Sequence, residues 1–143
     1  MIRSLRGPRR ALAYGLISLL DHGCWLLIQG LPGPRLLHLA RQRPWRWLRP
    51  PIDPARRQRW SARVIWLLRR RCQHAGWGSS CLSRSLCGRL LLDLIGVANE
   101  LHLGMGKVAN GRRIPHAWLS DPVSGRLLTP GLSPGSGAVL TRI

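Results

Sequence analysis

Apolar residues crowd the stretch from 9 to 29, RRALAYGLISLLDHGCWLLIQ, on every side of a helical wheel. That pattern predicts a buried helix. LPGP at 31–34 breaks it. RLLHLARQRPWRWL (35–48) alternates as a short amphipathic helix that Pro44 ends, burying its tryptophans, and RPPIDP then turns the chain. Asp53-Pro54 has the form of a helix start, an N-cap side chain followed by proline at the first helical position. Beyond it Trp60, Val64, Leu67, Leu68 and Cys72 fall at helical spacing, with arginines on the opposite side. GWGSS (76–80) ends this helix and caps the next, in which Leu82, Leu86, Leu90 and Leu94 recur every fourth residue as a core-facing stripe. Gly96 stands where a left-handed helix terminus is expected.

After Gly96 the period shortens. ELHLGMGK (100–107), a turn at Asn110-Gly111, and IPHAWLS (114–120) read as strand, turn and strand; DPVSG (121–125) turns the chain into a third piece, RLLT (126–129). GLSPGSG in the tail reads as loop. Helices over 1–75, then one helix and a small antiparallel sheet over 76–143, make a single domain of the α+β class.

Length and composition narrow this only a little. A chain of 143 residues with 45% hydrophobic content buries a core without disulfide staples. Its four cysteines, Cys24, Cys72, Cys81 and Cys87, do not form a secreted disulfide framework and are read as free thiols of a cytoplasmic protein. They fit no paired zinc-ligand spacing either, so no metal and no cofactor is expected. Cys24, Cys72 and Cys87 read as core residues.

The formal charge of +18 is extreme, and all but one of the 23 basic residues are arginine. Nucleic acid, anionic membrane and acidic partners all fit such a charge. The arginines are scattered from Arg3 to Arg142 rather than gathered in one stripe, which favours solvated faces over specific nucleic-acid binding. At the N-terminus a basic head precedes an apolar run, but Asp21 and His22 interrupt that run before bilayer length. A helix with peripheral membrane contact is compatible with it; a spanning one is not expected.

Cysteine chemistry needs a thiolate, a base that takes and returns a proton, and a group that orients the base. Cys81 opens a helix, where unpaired N–H groups favour negative charge. His116 lies in a strand-like segment of the sheet that follows. Taken alone, each has a plain alternative, a buried small side chain and a satisfied structural histidine.

The residues around them carry a resemblance. Cys81-Leu82-Ser83-Arg84-Ser85-Leu86, then Leu101–Lys107, then His116-Ala117-Trp118, resembles in type and order the transglutaminase-like cysteine peptidases of lasso-peptide maturation. Those enzymes remove the leader from a ribosomally made precursor. The resemblance implies a transglutaminase-like, papain-like core, with Cys81 as nucleophile and His116 as general base and acid. It implies three partners: the precursor's leader peptide, a leader-recognition protein and an ATP-dependent macrocyclase. Relatives also place an aspartate about a dozen residues beyond H-A-W to hold the histidine tautomer. Here Asp121 is the nearest acid, roughly 16 Å along an extended strand from His116. A hairpin through DPVSG would set Ser120 opposite Arg126, Trp118 opposite Leu128 and His116 opposite Pro130, with Thr129 adjacent. The third member is therefore Asp121 by an irregular turn, Thr129, or a backbone carbonyl. Two rival readings follow: a basic nucleic-acid- or membrane-surface-binding protein without catalysis, or a scaffold of the maturation complex that no longer cleaves.

Overall fold

The computed structural model describes residues 7–74, 78–107, 110–129 and 137–143. Four α-helices precede a three-stranded antiparallel sheet: α1 Pro8–Gly30, α2 Gly33–Gln42, α3 Pro54–Gln73 and α4 Cys81–Ile95, then β1 Glu100–Lys107, β2 Arg113–Ser120 and β3 Gly137–Arg142. A short 3-10 turn over Pro44–Leu48 links α2 to α3. The α+β expectation thus has its counterpart in four helices and a small sheet.

Helix boundaries follow the sequence signals. Pro54 opens α3, and the Asp53 carboxylate accepts the N–H groups of Ala55 and Arg56. Ser80 and Ser83 close a reciprocal capping box at the start of α4. Gly96 ends α4 at φ 77°, the left-handed conformation that favours glycine.

α4 is the central element. It packs against α1, α3, β1 and β2, and its deepest positions are Ser83, Ser85, Cys87, Arg89 and Leu92 rather than one leucine stripe. Leu82, Leu90 and Leu94 lie half-buried on its flank. Leu86, Leu92 and Ile95 meet Leu101 and Leu119 of the sheet, with Leu128, in one cluster. Ile17 of α1, Leu67 and Leu68 of α3 and Cys87 of α4 make a second. At Gly88 a β-carbon would come within 2.9 Å of Leu68 Cδ1 and 3.0 Å of Leu119 Cδ1, so α4 meets both layers where it has no side chain. Arg89, fully buried, donates from Nε to the Ala40 carbonyl and from Nη1 to the Ile143 carbonyl. Burial lowers its pKa to about 10, which leaves it a cation at neutral pH.

The sheet runs β2-β1-β3. Glu100 pairs with Ser120 and Lys107 with Arg113 across β1 and β2. β3 pairs with the other edge of β1, with an irregularity between Leu103 and Gly104. β3 starts at Gly137, the last residue of the segment expected to be loop, and no expectation covered the strand; Pro130, expected opposite His116, and 131–136 lie outside the described residues.

Four further expectations are corrected. RLLT makes only an isolated bridge, Ser120 to Leu127, one residue out of the hairpin register. α1 is not buried all round: its buried residues are Ile17 and Asp21, while Leu12, Leu16, Leu19, Leu20, Leu26 and Leu27 are exposed. The apolar run, expected to fall short of bilayer length at Asp21 and His22, lies in a 23-residue helix that by length and composition is long enough to cross a membrane. The polar pair is absorbed because Asp21 points inward to partners. Trp47, expected to be buried, is 80% exposed. Trp45 is half-buried because its Nε1 donates to Asp93 Oδ2 at 2.8 Å.

Candidate functional site

Cys81 is the first residue of α4 and is half-buried. The turn that delivers it is held by polar bonds from three elements. Ser80 Oγ accepts the Ser83 N–H at 3.0 Å and Ser83 Oγ accepts the Ser80 N–H at 2.8 Å. Behind them stands Asp21 of α1, 1% exposed. Its carboxylate accepts from Ser83 Oγ at 2.5 Å, from Ser79 Oγ at 2.5 Å and from Arg71 Nε of α3 at 2.9 Å. A buried carboxylate is stable only when paired and hydrogen-bonded in this way. Arg84, one turn into α4, donates from Nη1 to Ser79 Oγ at 3.0 Å. Gly78 takes φ 78°, and a β-carbon there would meet the His22 ring, so only glycine fits this approach to α1.

His116 sits on β2 and is half-buried. Its Nε2 is buried and has no hydrogen-bond partner among the described residues. The ring stacks on Trp118 at 5.8 Å, and Trp118 stacks on His102 at 5.4 Å. Burial, and secondarily the Arg84 cation, hold the His116 pKa below its usual value. Arg84 thus binds the turn that carries Cys81 and, as a cation, disfavours protonation of His116.

The two residues named as third members have other partners. Asp121 Oδ1 accepts the N–H groups of Val123 at 2.8 Å and Ser124 at 3.3 Å. Those backbone bonds hold its pKa below the usual carboxylate value. Thr129 is buried, and its Oγ1 accepts the Leu119 N–H at 2.8 Å. Neither makes a hydrogen bond to His116 among the described residues.

Burial acts on the thiols of Cys24, Cys72 and Cys87. It raises Cys24 to about 11, raises Cys87 further, and raises Cys72 against the opposing pull of Arg84.

Sequence reading missed Asp21 and the histidine of β1. The signal for Asp21 was there: a lone carboxylate inside an apolar run needs an internal partner. His102 Nε2 lies 2.6 Å from Ser120 Oγ and 3.3 Å from Glu100 Oε2. Both contacts fall on the same ring nitrogen, so this is not a serine–histidine–carboxylate relay, which needs one partner on each nitrogen.

Cys81 heads the central helix, and His116 lies on β2, which packs against that helix in an α+β fold. The chain belongs to the Transglutaminase-like superfamily, whose family model matches residues 27–136. Comparison with curated proteins and with solved structures yields no match. Members of this superfamily are commonly cysteine peptidases or transferases.

Proposed function

We propose that the protein is a cysteine peptidase that removes the leader from a lasso-peptide precursor. The observation that carries this reading is Cys81, placed first in a doubly capped α4 within a transglutaminase-like chain. The C-L-x-R-x-L and H-A-W segments point to the leader-removing branch of that superfamily.

In this reading the Cys81 thiol passes its proton to His116, and the sulfur attacks the carbonyl carbon of the leader–core bond. The α4 start supplies oxyanion donors: Ser80 takes the N–H groups of Ser83 and Arg84, and the helix-start N–H groups of Cys81 and Leu82 are the ones assigned to the developing charge. Collapse breaks the C–N bond, and the core leaves as an amine carrying the proton from the imidazolium. Water, deprotonated by His116, then hydrolyses the thioester, frees the leader carboxylate and restores the thiol. A ring kept neutral by burial is suited to accept the first proton. Stacking on Trp118 supports its orientation in place of a third side chain. The partners are the leader peptide, a leader-recognition protein and an ATP-dependent macrocyclase, and the reaction is cytoplasmic.

The test is to incubate the full chain with precursor and recognition protein, beside Cys81→Ala and His116→Ala, and follow leader release by mass spectrometry. Cleavage by the wild type that either variant abolishes is the expected result. Unchanged cleavage in either variant sinks the mechanism. The engagement of Asp121 and Thr129 elsewhere favours one second reading, a scaffold that binds the precursor without cutting it. Precursor binding by a wild type that never cleaves would establish that reading instead.

A further inference from the structure

α1 has two unlike faces. The inner one carries Ile17 and Asp21 against α3 and α4. The outer one carries Leu12, Leu16, Leu19, Leu20, Leu26 and Leu27, all exposed, with Leu19 at 70% and Leu12 at 66%. Leu12, Leu16 and Leu19 follow three- and four-residue steps, and Leu26 and Leu27 return to the same side one heptad beyond Leu19 and Leu20, so the six form one stripe about 22 Å long at 1.5 Å per residue. Gly15 and Gly23 interleave them, and no charged residue falls on the stripe. At its N-terminal end Arg9 is exposed, whereas Arg10 turns to the other side and lies over the Trp66 ring of α3 at 5.3 Å.

We infer that the outer face of α1 seats the protein on an anionic lipid surface, its leucines in the headgroup–acyl boundary and Arg9 at lipid phosphates. A leucine face with a cationic end is the pattern of a helix lying in a membrane interface. Spanning is excluded by the inner face: a bilayer-crossing α1 would have to release Asp21 from Ser79, Ser83 and Arg71. A second copy is disfavoured by charge, since two chains of +18 with five acids apiece repel. A dedicated protein partner would be read by polar or aromatic anchors, which protein interfaces concentrate at their centres. The stripe has none, and a fluid acyl layer needs none. The same +18 that repels a second copy attracts an anionic leaflet.

The inference holds whether or not Cys81 is catalytic, and it is tested on the full chain with vesicles of phosphatidylcholine alone or mixed with phosphatidylglycerol. The wild type is expected to sediment with the anionic vesicles and to keep part of that binding at high salt, where purely electrostatic attraction is screened. Leu16→Asn with Leu19→Asn is expected to weaken binding at least about tenfold, from the lost burial of two leucines, with far-UV circular dichroism unchanged. Leu12→Asn with Leu26→Asn, at the two ends of the stripe, gives the same reading if the first pair disturbs the helix. No vesicle binding, or binding equal to wild type in both pairs, overturns the inference. So does a dimer in solution that the leucine variants split, because the stripe would then belong to a second copy.

Discussion

Asp21 Oδ1 accepts a 2.5 Å hydrogen bond from Ser83 Oγ, across 62 residues of chain. Ser83 is half of the α4 capping box, so α1 reaches into the cap of the helix that Cys81 opens. Removing this carboxylate leaves Arg71 without its ion pair and the Ser79 hydroxyl without an acceptor, while Ser83 Oγ keeps only its longer bond to the Ser80 carbonyl. Asp21→Ala is therefore expected to lower stability by about 2–4 kcal/mol, read from urea denaturation. Asp21→Asn, which keeps an acceptor but not the charge, should lose less. Equal stability of wild type and Asp21→Ala would show that the bond does not fix α4.

Thiol labelling separates Cys81 from its neighbours. Burial keeps Cys24, Cys72 and Cys87 protonated at neutral pH, and a protonated thiol alkylates slowly. Brief iodoacetamide treatment at neutral pH should modify the peptide containing Cys81 first, with that fast phase absent from Cys81→Ala. Faster loss of any other cysteine in peptide mapping contradicts this order.

His116 gives a pH prediction with a definite sign. Burial and the Arg84 cation push its folded pKa below 6.5, so the native state prefers the neutral ring. The stability it contributes is complete above pH 6.5 and is lost as pH falls through the folded value. Arg84→Gln removes the cation and should move the His116 titration to higher pH, measured by the ring proton shifts in NMR. In the peptidase reading the acid limb of the rate profile moves with it. A titration that Arg84→Gln leaves in place would show that burial alone sets it.

Gly88 tests the close approach of α4 to its neighbours. Leu68 and Leu119 already occupy the space a β-carbon would need. Gly88→Leu is expected to cost about 2–3 kcal/mol by overpacking, although leucine is the better helix former. Thermal unfolding checks this, and a stabilised variant would mean the helix shifts freely.

Much of this architecture could be read in the chain. Asp53-Pro54, Ser80 and Gly96 announce their helix ends because caps are local chemistry, satisfied within a turn. β3 was not legible, since six residues after a glycine-rich tail become a strand only where the edge of β1 accepts them. The exposure of α1 was hidden for a related reason. An apolar wheel does not tell which side finds a protein partner, and here α3 and α4 cover one side only. At the candidate site, Cys81 and His116 stood out through the words around them. Asp21 did not, because its partners lie 50 residues or more away in sequence.

The family model spans residues 27–136, whereas Asp21 and Ile17 precede that span and β3 follows it. A fragment cut at those limits would keep Cys81 and His116 but open the molecule at both ends. Its α4 would be capped by serines without their carboxylate, and the face of Cys87 would be stripped of Ile17. β1 would become a bare edge, ready to pair with another chain. Such a fragment is expected to aggregate rather than fold, so the family segment borrows its solubility from sequence that lies outside it.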